Sequence, residues 1–361
     1  MKTNSILLFF LSFIALSSCI KEEGLNLEAD ITSFKFMEIE AEPYLNQETG
    51  TIKLEISDSD LDITNLTPVI TVFEGATIQP ESGVAQDFSK AVEYTVTSEN
   101  KQWQRTYKVS ITNVVLKYSF EDWYINEIGS GNKIFKYPTP TDDFWSSANS
   151  GIAIAKVGAV DEYPTHPTTD AYKGKYAAEL KTQRGGVYWK NLIPIFSGSL
   201  FRGKFSLNMA DFVKSAKFGQ FHTQDKGRPV EFRGYYKYKP GDVFYNEDDQ
   251  IVPGKIDEFS IYAVLYEVTK GNGADEFLDG TNILSSSKTV AIAELTDRSA
   301  KENYTYFSLP FVYNREPDYN KFDYKLAIVC ASSREGDYYR GAVGSTLIVD
   351  ELEIITKFAP F

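Results

Sequence analysis

Cysteine is nearly missing from this 361-residue chain, which holds only Cys19 and Cys330. Two cysteines allow at most one bridge, too few for a disulfide-stapled scaffold, and a CxxC or Cys/His metal cluster has no ligands to draw on. Histidine is as scarce, with His166 and His222 alone, so a His-based triad or a His-rich metal site is thinly supplied. Basic charge is short as well: 37 Lys and Arg face 50 Asp and Glu, for a net charge of −13. That balance argues against nucleic acid, whose binding depends on cations laid against phosphates. No apolar run reaches the roughly 20 residues that a bilayer-crossing helix needs. Helical periodicity does not extend beyond two or three turns anywhere, and no internal repeat or low-complexity stretch appears. Stability must come from packed cores, and the chain is long enough to build more than one. Aromatic residues are plentiful at 14%, with 23 tyrosines, the composition of a β-rich binding surface rather than a helical bundle.

The chain opens MKTNSILLFFLSFIALSSC. Lys2 supplies a short positive region, and Ile6 to Leu16 is an apolar run of about 11 residues, the pattern of a secretory signal. Leu16-Ser17-Ser18-Cys19 resembles the lipobox of bacterial lipoproteins, which implies cleavage before Cys19 and lipid attachment to it. Ile20-Lys21-Glu22-Glu23 resembles the Lys-acidic-acidic signal that sends Bacteroidetes lipoproteins to the outer face of the outer membrane. Several acyl chains on one cysteine suit this purpose, because a single chain binds a membrane only marginally. Cys19 is thus read as a lipid anchor closing a signal sequence over residues 1–19. Cys330, inside YKLAIVCASS, is read as a small buried hydrophobe.

Residues 20–113 read as short strands with turns. Phe34 and Phe36 alternate with polar neighbours, Ile52, Leu54 and Ile56 share a face, and AVEYTVTSENKQWQRTYKVSITN forms a hairpin around SENK. In that hairpin Val92, Tyr94 and Val96 lie on one strand face and Trp103, Arg105, Tyr107, Val109 and Ile111 return on the next, with Trp103 expected at the core or the sheet edge. Period-two alternation at this spacing predicts a small β-sandwich, and its order resembles the Ig-like modules at the front of Bacteroidetes surface lipoproteins. This part is strongly acidic, with 17 acidic against 7 basic residues. Residues 114–361 have longer strands, larger loops and no βαβ rhythm, which favours one large antiparallel sandwich, most simply a jelly roll.

In this second part FEDW, FWSSANSG, GSLFRGKF, RPVEFRGYYKYKPG, IYAVLYEV and YKLAIVCASSREGDYYRGAVGSTLIVDELEI follow one another in an order that resembles the putative carbohydrate metabolism domain of Bacteroidetes lipoproteins. The resemblance runs from about Phe120 to Ile355. It implies a jelly-roll sandwich behind an Ig-like module, a polysaccharide or oligosaccharide as ligand, and a glycan-utilisation complex among the candidate partners. It brings no catalytic residues with it.

The residues themselves suggest a binding trough. Alternation in PVEFRGYYKYKPG puts Val230, Phe232, Gly234, Tyr236 and Tyr238 on a core face, and Glu231, Arg233, Tyr235, Lys237 and Lys239 on the other. Sugars need a flat ring for their C–H surfaces and paired polar groups for adjacent hydroxyls, and Glu231, Arg233 and Tyr235 offer both. The alternative is a solvated charged face. If EFSIYAVLYEV is the neighbouring strand, Glu258 and Tyr262 join the same floor. Trp145 in DDFWSSANSG, Trp123 after FED and Trp189 in GGVYWKN are candidate stacking platforms or, alternatively, plugs at the end of the sandwich.

Glu121 in SFEDW and Asp350 in LIVDELEI resemble the paired acids that hold a structural calcium in many jelly-roll carbohydrate-binding modules, and oxygen ligands suit that cation. The competing reading leaves both acids exposed or bonded to the backbone. A glycosidase needs two carboxylates flanking the scissile bond, and the Glu-x-Asp-x-Glu string of jelly-roll glucanases is missing. Ser332 and Ser333 have no nucleophile-elbow glycines. Non-catalytic glycan capture is therefore the leading expectation. A glycoside hydrolase or lyase with carboxylates on neighbouring strands, such as Glu231 and Glu258, and a structural adhesin-like subunit are the alternatives.

Overall fold

The computed structural model describes residues 25–56, 61–113, 115–130, 133–141, 145–155, 163–185 and 193–357. Cys19 and the adjoining signal, and Trp189, lie outside the described residues. The chain divides into two compact units, and the division falls between Thr112 and Asn113.

In the first unit the strands Ile31–Phe36 and Pro68–Val72 pair antiparallel. They complement a five-stranded sheet ordered Tyr44–Asn46, Thr51–Ile56, Gln104–Asn113, Val92–Thr97 and Thr77–Gln79. The alternation is realised as expected: Ile31, Phe34, Phe36, Ile52, Leu54, Tyr94, Val96, Tyr107 and Val109 share one buried cluster. Trp103 does not join it. The residue is 60% exposed, because it closes the hairpin turn before the strand begins and its backbone N–H is held by Ser98 Oγ at 3.1 Å.

The second unit is an antiparallel sandwich of two large sheets. One has six strands, running Thr165–Thr168, Ala177–Lys181, Thr346–Lys357, Arg228–Lys239 and Lys301–Pro310, with Val115–Tyr118 also paired to the Thr346–Lys357 strand. The other has eight, with Trp145–Ser146, Ser199–Phe205, Phe322–Ala331, Ser260–Thr269, Thr289–Glu294 and Val312–Tyr313 in that order, plus two short strands at the side. Phe232, Tyr236, Tyr238, Leu347 and Val349 from the first sheet meet Ile261, Ala263, Leu265, Leu326 and Ile328 from the second in one core. Cys330 is fully buried there, and burial pushes its thiol far above the ordinary range.

The two sheets differ on their outer faces. Outside the eight-stranded sheet a second apolar cluster forms from Phe201, Tyr262, Val264, Tyr266 and Val329 with Leu278 and Ile283 of a covering segment. The strand Ser260–Thr269 is therefore buried on both sides from Ile261 to Tyr266. Outside the six-stranded sheet, the strand Arg228–Lys239 keeps its simple alternation, with Glu231, Arg233, Tyr235 and Lys237 only half-buried. Both patterns follow from the side-chain period of two; they differ in whether a roof is laid over the second face.

Candidate functional site

The expected trough does not assemble. Arg228–Lys239 pairs with Lys301–Pro310 and Thr346–Lys357, whereas Ser260–Thr269 pairs with Thr289–Glu294 and Phe322–Ala331. The chain between them crosses from one sheet to the other, so Glu231, Arg233 and Tyr235 share a face, and Glu258 and Tyr262 belong elsewhere. Glu258 lies just before its strand with its carboxylate 3.4 Å from the Arg334 guanidinium. Glu231 accepts a hydrogen bond from Ser308 Oγ at 2.8 Å, and Arg233 pairs with Glu353 at 2.7 Å.

Trp145 is a core residue, 3% exposed, with Tyr118 and Phe120 edge-on at 5.2 and 5.3 Å. Its short strand pairs with Ser199–Phe205, and the pleat turns the indole inward, away from any ligand. Trp123 is partly buried against the same core and donates its Nε1–H to Phe120 O at 2.8 Å.

Glu121 and Asp350 do converge, on the backbone of one loop. Asp350 Oδ2 accepts the N–H groups of Tyr172 at 2.8 Å and Lys173 at 3.1 Å, and Glu121 Oε2 accepts that of Lys175 at 2.8 Å. A calcium site calls for oxygens facing the carboxylates; here N–H donors face them. One oxygen, Glu121 Oε1, is buried without a hydrogen bond. Among the described residues no group of three or more His, Cys, Asp or Glu is placed to hold a metal. Burial pushes Asp350 up to about 6 despite its N–H donors.

A concavity lies instead on the roofed face of the eight-stranded sheet. It is a cleft of about 380 Å³, within the size range of small-ligand sites. Its floor is Phe201, Ser260, Tyr262 and Val329, turned outward by the same pleat that sends Ile261 and Ile328 into the core. Walls come from the helix Asn149–Ala155 through Ile152, from the 3-10 turn Phe212–Ser215, from the 280–285 segment, and from the turn Gly336–Tyr338. Phe196, Phe205, Phe212, Tyr338 and Tyr339 bring rings to it; Ser197, Asn282, Ser333, Arg334 and Asp337 bring polar groups.

Asp337 is the charged group best placed for chemistry. Its side chain is open to the water of the cleft, yet protein surrounds it on most sides. Crowding by the surrounding protein, with the nearby Asp279 charge, pushes its carboxyl above the ordinary range. Among the described residues it has no hydrogen-bond or ion-pair partner. Gly280 permits the approach, since a Cβ there would lie 2.7 Å from the Asp337 carboxylate. Tyr339 closes the turn at φ 60°, a conformation costing a non-glycine residue about 1–2 kcal/mol. Burial, aided by Asp211 and Asp337, pushes its phenol up to about 12.

The turn is fixed from behind by a buried polar hub. Asp257 Oδ2 accepts hydrogen bonds from Ser333 Oγ at 2.6 Å, Ser345 Oγ at 2.7 Å and the Ala342 N–H at 2.7 Å. Thr182 Oγ1 lies 2.7 and 2.6 Å from the Ser332 and Ser333 hydroxyls. A fully satisfied buried network rigidifies what it joins, here the 333–339 segment that carries Asp337 and Tyr338. Ser332 and Ser333 thus act as structure rather than as nucleophiles. Neither Asp337 nor Asp257 stands out by spacing; the available signal was an acid beside two tyrosines in REGDYY, shortly after the largely apolar strand Phe322–Ala331.

Residues 119–355 match the family described as Putative carbohydrate metabolism domain, and residues 31–111 match the family described as SGBP, N-terminal. A crystal structure of a putative glycoside hydrolase from Bacteroides thetaiotaomicron is similar at 35% identity over 94% of this chain and 100% of that one, with a TM-score of 0.57. Another putative glycoside hydrolase, from Bacteroides vulgatus, is similar at 30% identity over 67% of this chain and 98% of that one, with a TM-score of 0.56. No curated protein matches the chain.

Proposed function

The chain belongs to the Putative carbohydrate metabolism domain family, and from that premise we propose that it is a surface lipoprotein which captures a saccharide in the cleft over the eight-stranded sheet. The observation that carries this reading is the ring-lined cleft with Asp337 at its wall. Aromatic faces accept the C–H surfaces of a pyranose, and the serines, Asn282 and Asp337 offer partners to its hydroxyls, the mix of apolar wall and sparse polar groups that defines a small-ligand site. The front module supports a capturing role through its match to the SGBP N-terminal family. Lipid on Cys19, with Lys21-Glu22-Glu23 as the export signal, would hold the protein at the outer membrane. Labelling with radioactive palmitate, lost in Cys19→Ser, tests the anchor.

Capture is tested by calorimetric titration with oligosaccharides. Replacing Phe212 and Tyr338 together by Ala lowers affinity at least about 10-fold, equivalent to about 1.4 kcal/mol, without lowering the melting temperature by more than a few degrees. Unchanged affinity in that variant puts the sugar elsewhere.

Hydrolysis is the second reading, favoured by one feature: a pair of carboxylates, Asp337 at the cleft wall and Asp279 beside Gly280, the residue that meets Asp337. Such pairs divide acid and base roles. Asp337 would give its proton to the glycosidic oxygen as the bond to the anomeric carbon breaks, and water activated by a second carboxylate would take that carbon. Release of reducing ends by the parent, abolished in Asp337→Asn, would select this reading; binding without release selects capture.

A further inference from the structure

The open face of the six-stranded sheet carries a feature that the cleft does not use. Tyr172 lies flat on Tyr235, ring centroids 3.6 Å apart and planes 13° from parallel. Tyr306, directly opposite Tyr235 on the next strand, has its ring 5.3 Å away, and Tyr304 packs edge-on to Tyr172 at 5.7 Å. Tyr172 and Tyr306 are 47% and 50% exposed. We propose that this tyrosine cluster is a second glycan-contact surface, one that takes the chain of a neutral polysaccharide while the cleft takes a short segment. The inference rests on the saccharide reading of the cleft and extends it to the polymer.

Three observations carry it. First, the loop that brings Tyr172 over the sheet is held far more firmly than a surface loop requires. The Tyr172 and Lys173 N–H groups bond to buried Asp350, the Lys175 N–H bonds to Glu121, and Lys237 pairs with Asp170 at 2.6 Å. Gly174, at φ 73°, fits where a Cβ would run into the Glu121 carboxylate. This is the role the structure gives to the two acids at the start and end of the unit: they hold an exposed ring in place. A ring ordered before the ligand arrives loses little freedom on binding.

Second, the two cations nearest the rings are paired. Arg233 pairs with Glu353, and Lys237 with Asp170; Glu231 is bonded to Ser308. A face with its cations already paired offers no binding field to a polyanion, and it suits a ligand that is neutral and rich in hydroxyls. Third, the spacing is that of a track. Successive outward residues of one strand stand about 7 Å apart, so Glu231, Arg233, Tyr235 and Lys237 form a row of polar positions around one ring along Arg228–Lys239. An extended polymer can follow such a row; a compact ligand has nothing to enclose it.

The test is a pull-down of the full chain with insoluble starch, xylan, chitin and β-1,3-glucan, paired with calorimetry on an oligosaccharide of whichever polymer retains the parent. Tyr172→Ala combined with Tyr306→Ala is expected to lower retention on the polymer about 10-fold and leave oligosaccharide affinity within about 2-fold. Glu121→Gln, which weakens the loop's support but keeps every ring, is expected to lower retention by a smaller factor. Full retention in the folded double variant, with loss in the cleft variant, overturns the second surface and leaves the cleft reading standing. Retention of the parent by none of the four polymers, with no oligosaccharide bound, overturns both.

Discussion

The two outer faces of the second unit obey one rule and reach opposite ends. On the six-stranded sheet, Glu231, Arg233, Tyr235 and Lys237 alternate with buried Phe232, Tyr236 and Tyr238, and the outward set meets solvent. On the eight-stranded sheet, Tyr262, Val264 and Tyr266 also point outward, but a roof of loops and short turns buries them and encloses a cleft. The sequence marks the difference. A strand covered on both faces reads as a nearly continuous apolar run, as in SIYAVLYEV and KLAIVCA, whereas EFRGYYKYK alternates because one face stays wet. The nearly continuous apolar run, not the alternating one, locates the cleft.

The largest effect that separates core from surface is expected at Trp145. Trp145→Ala should cost about 3–5 kcal/mol in chemical denaturation, the range for emptying a large aromatic site in a core. Tyr306→Ala, on the open face, should cost within about 0.5 kcal/mol. Similar losses at the two positions would erase the distinction between plug and platform.

The pH dependence of stability sharpens the contrast between roofed and open faces. Asp337 and Asp350 both have folded-state values raised to about 6 from the ordinary 3.8. Between those values the folded chain holds more protons than the unfolded one, so stability falls as pH rises from about 4 to about 6 and is level above. Asp337→Asn removes its part of the fall. The variant's melting temperature should exceed the parent's at pH 7 and equal it near pH 3.5. A lower melting temperature at pH 7 would mean that the Asp337 charge is stabilising.

A smaller effect is expected from calcium. The lone pairs of Asp350 and Glu121 that face the loop are already taken by N–H groups, so millimolar calcium should move the melting temperature by less than about 1 °C relative to a chelator. A rise of several degrees would assign Glu121 Oε1 to a cation and separate this end of the open face from the account given above. The smallest expected effect is at Cys330, fully buried between the sheets: a thiol reagent such as Ellman's should not label it in the folded, Cys19→Ser protein, and rapid labelling would show that the core opens.

The β class and the strand faces were legible because pleating converts spacing directly into inside and outside. Phe232, Tyr236 and Ile261 could be placed in the core from alternation alone. Strand order was not legible: the Arg228–Lys239 and Ser260–Thr269 strands are neighbours in sequence and partners in different sheets, and no local property of either states its partner. The same gap misplaced Trp145, whose loop-like surroundings hide a two-residue strand. It also hid Asp337, whose importance comes from loops more than 100 residues apart in sequence closing over one sheet. The acids Glu121 and Asp350 were found as a pair, but the donors they meet belong to a loop that only the folded chain brings between them.

The most direct measurement is a crystal structure of the full chain soaked with an oligosaccharide that it binds in solution. Sugar density on Tyr338 and Phe212, with a hydroxyl or glycosidic oxygen within hydrogen-bond distance of the Asp337 carboxyl, is the result expected. An empty cleft, with the oligosaccharide held only on Tyr172 and Tyr306, would contradict the account and make the open face the primary site.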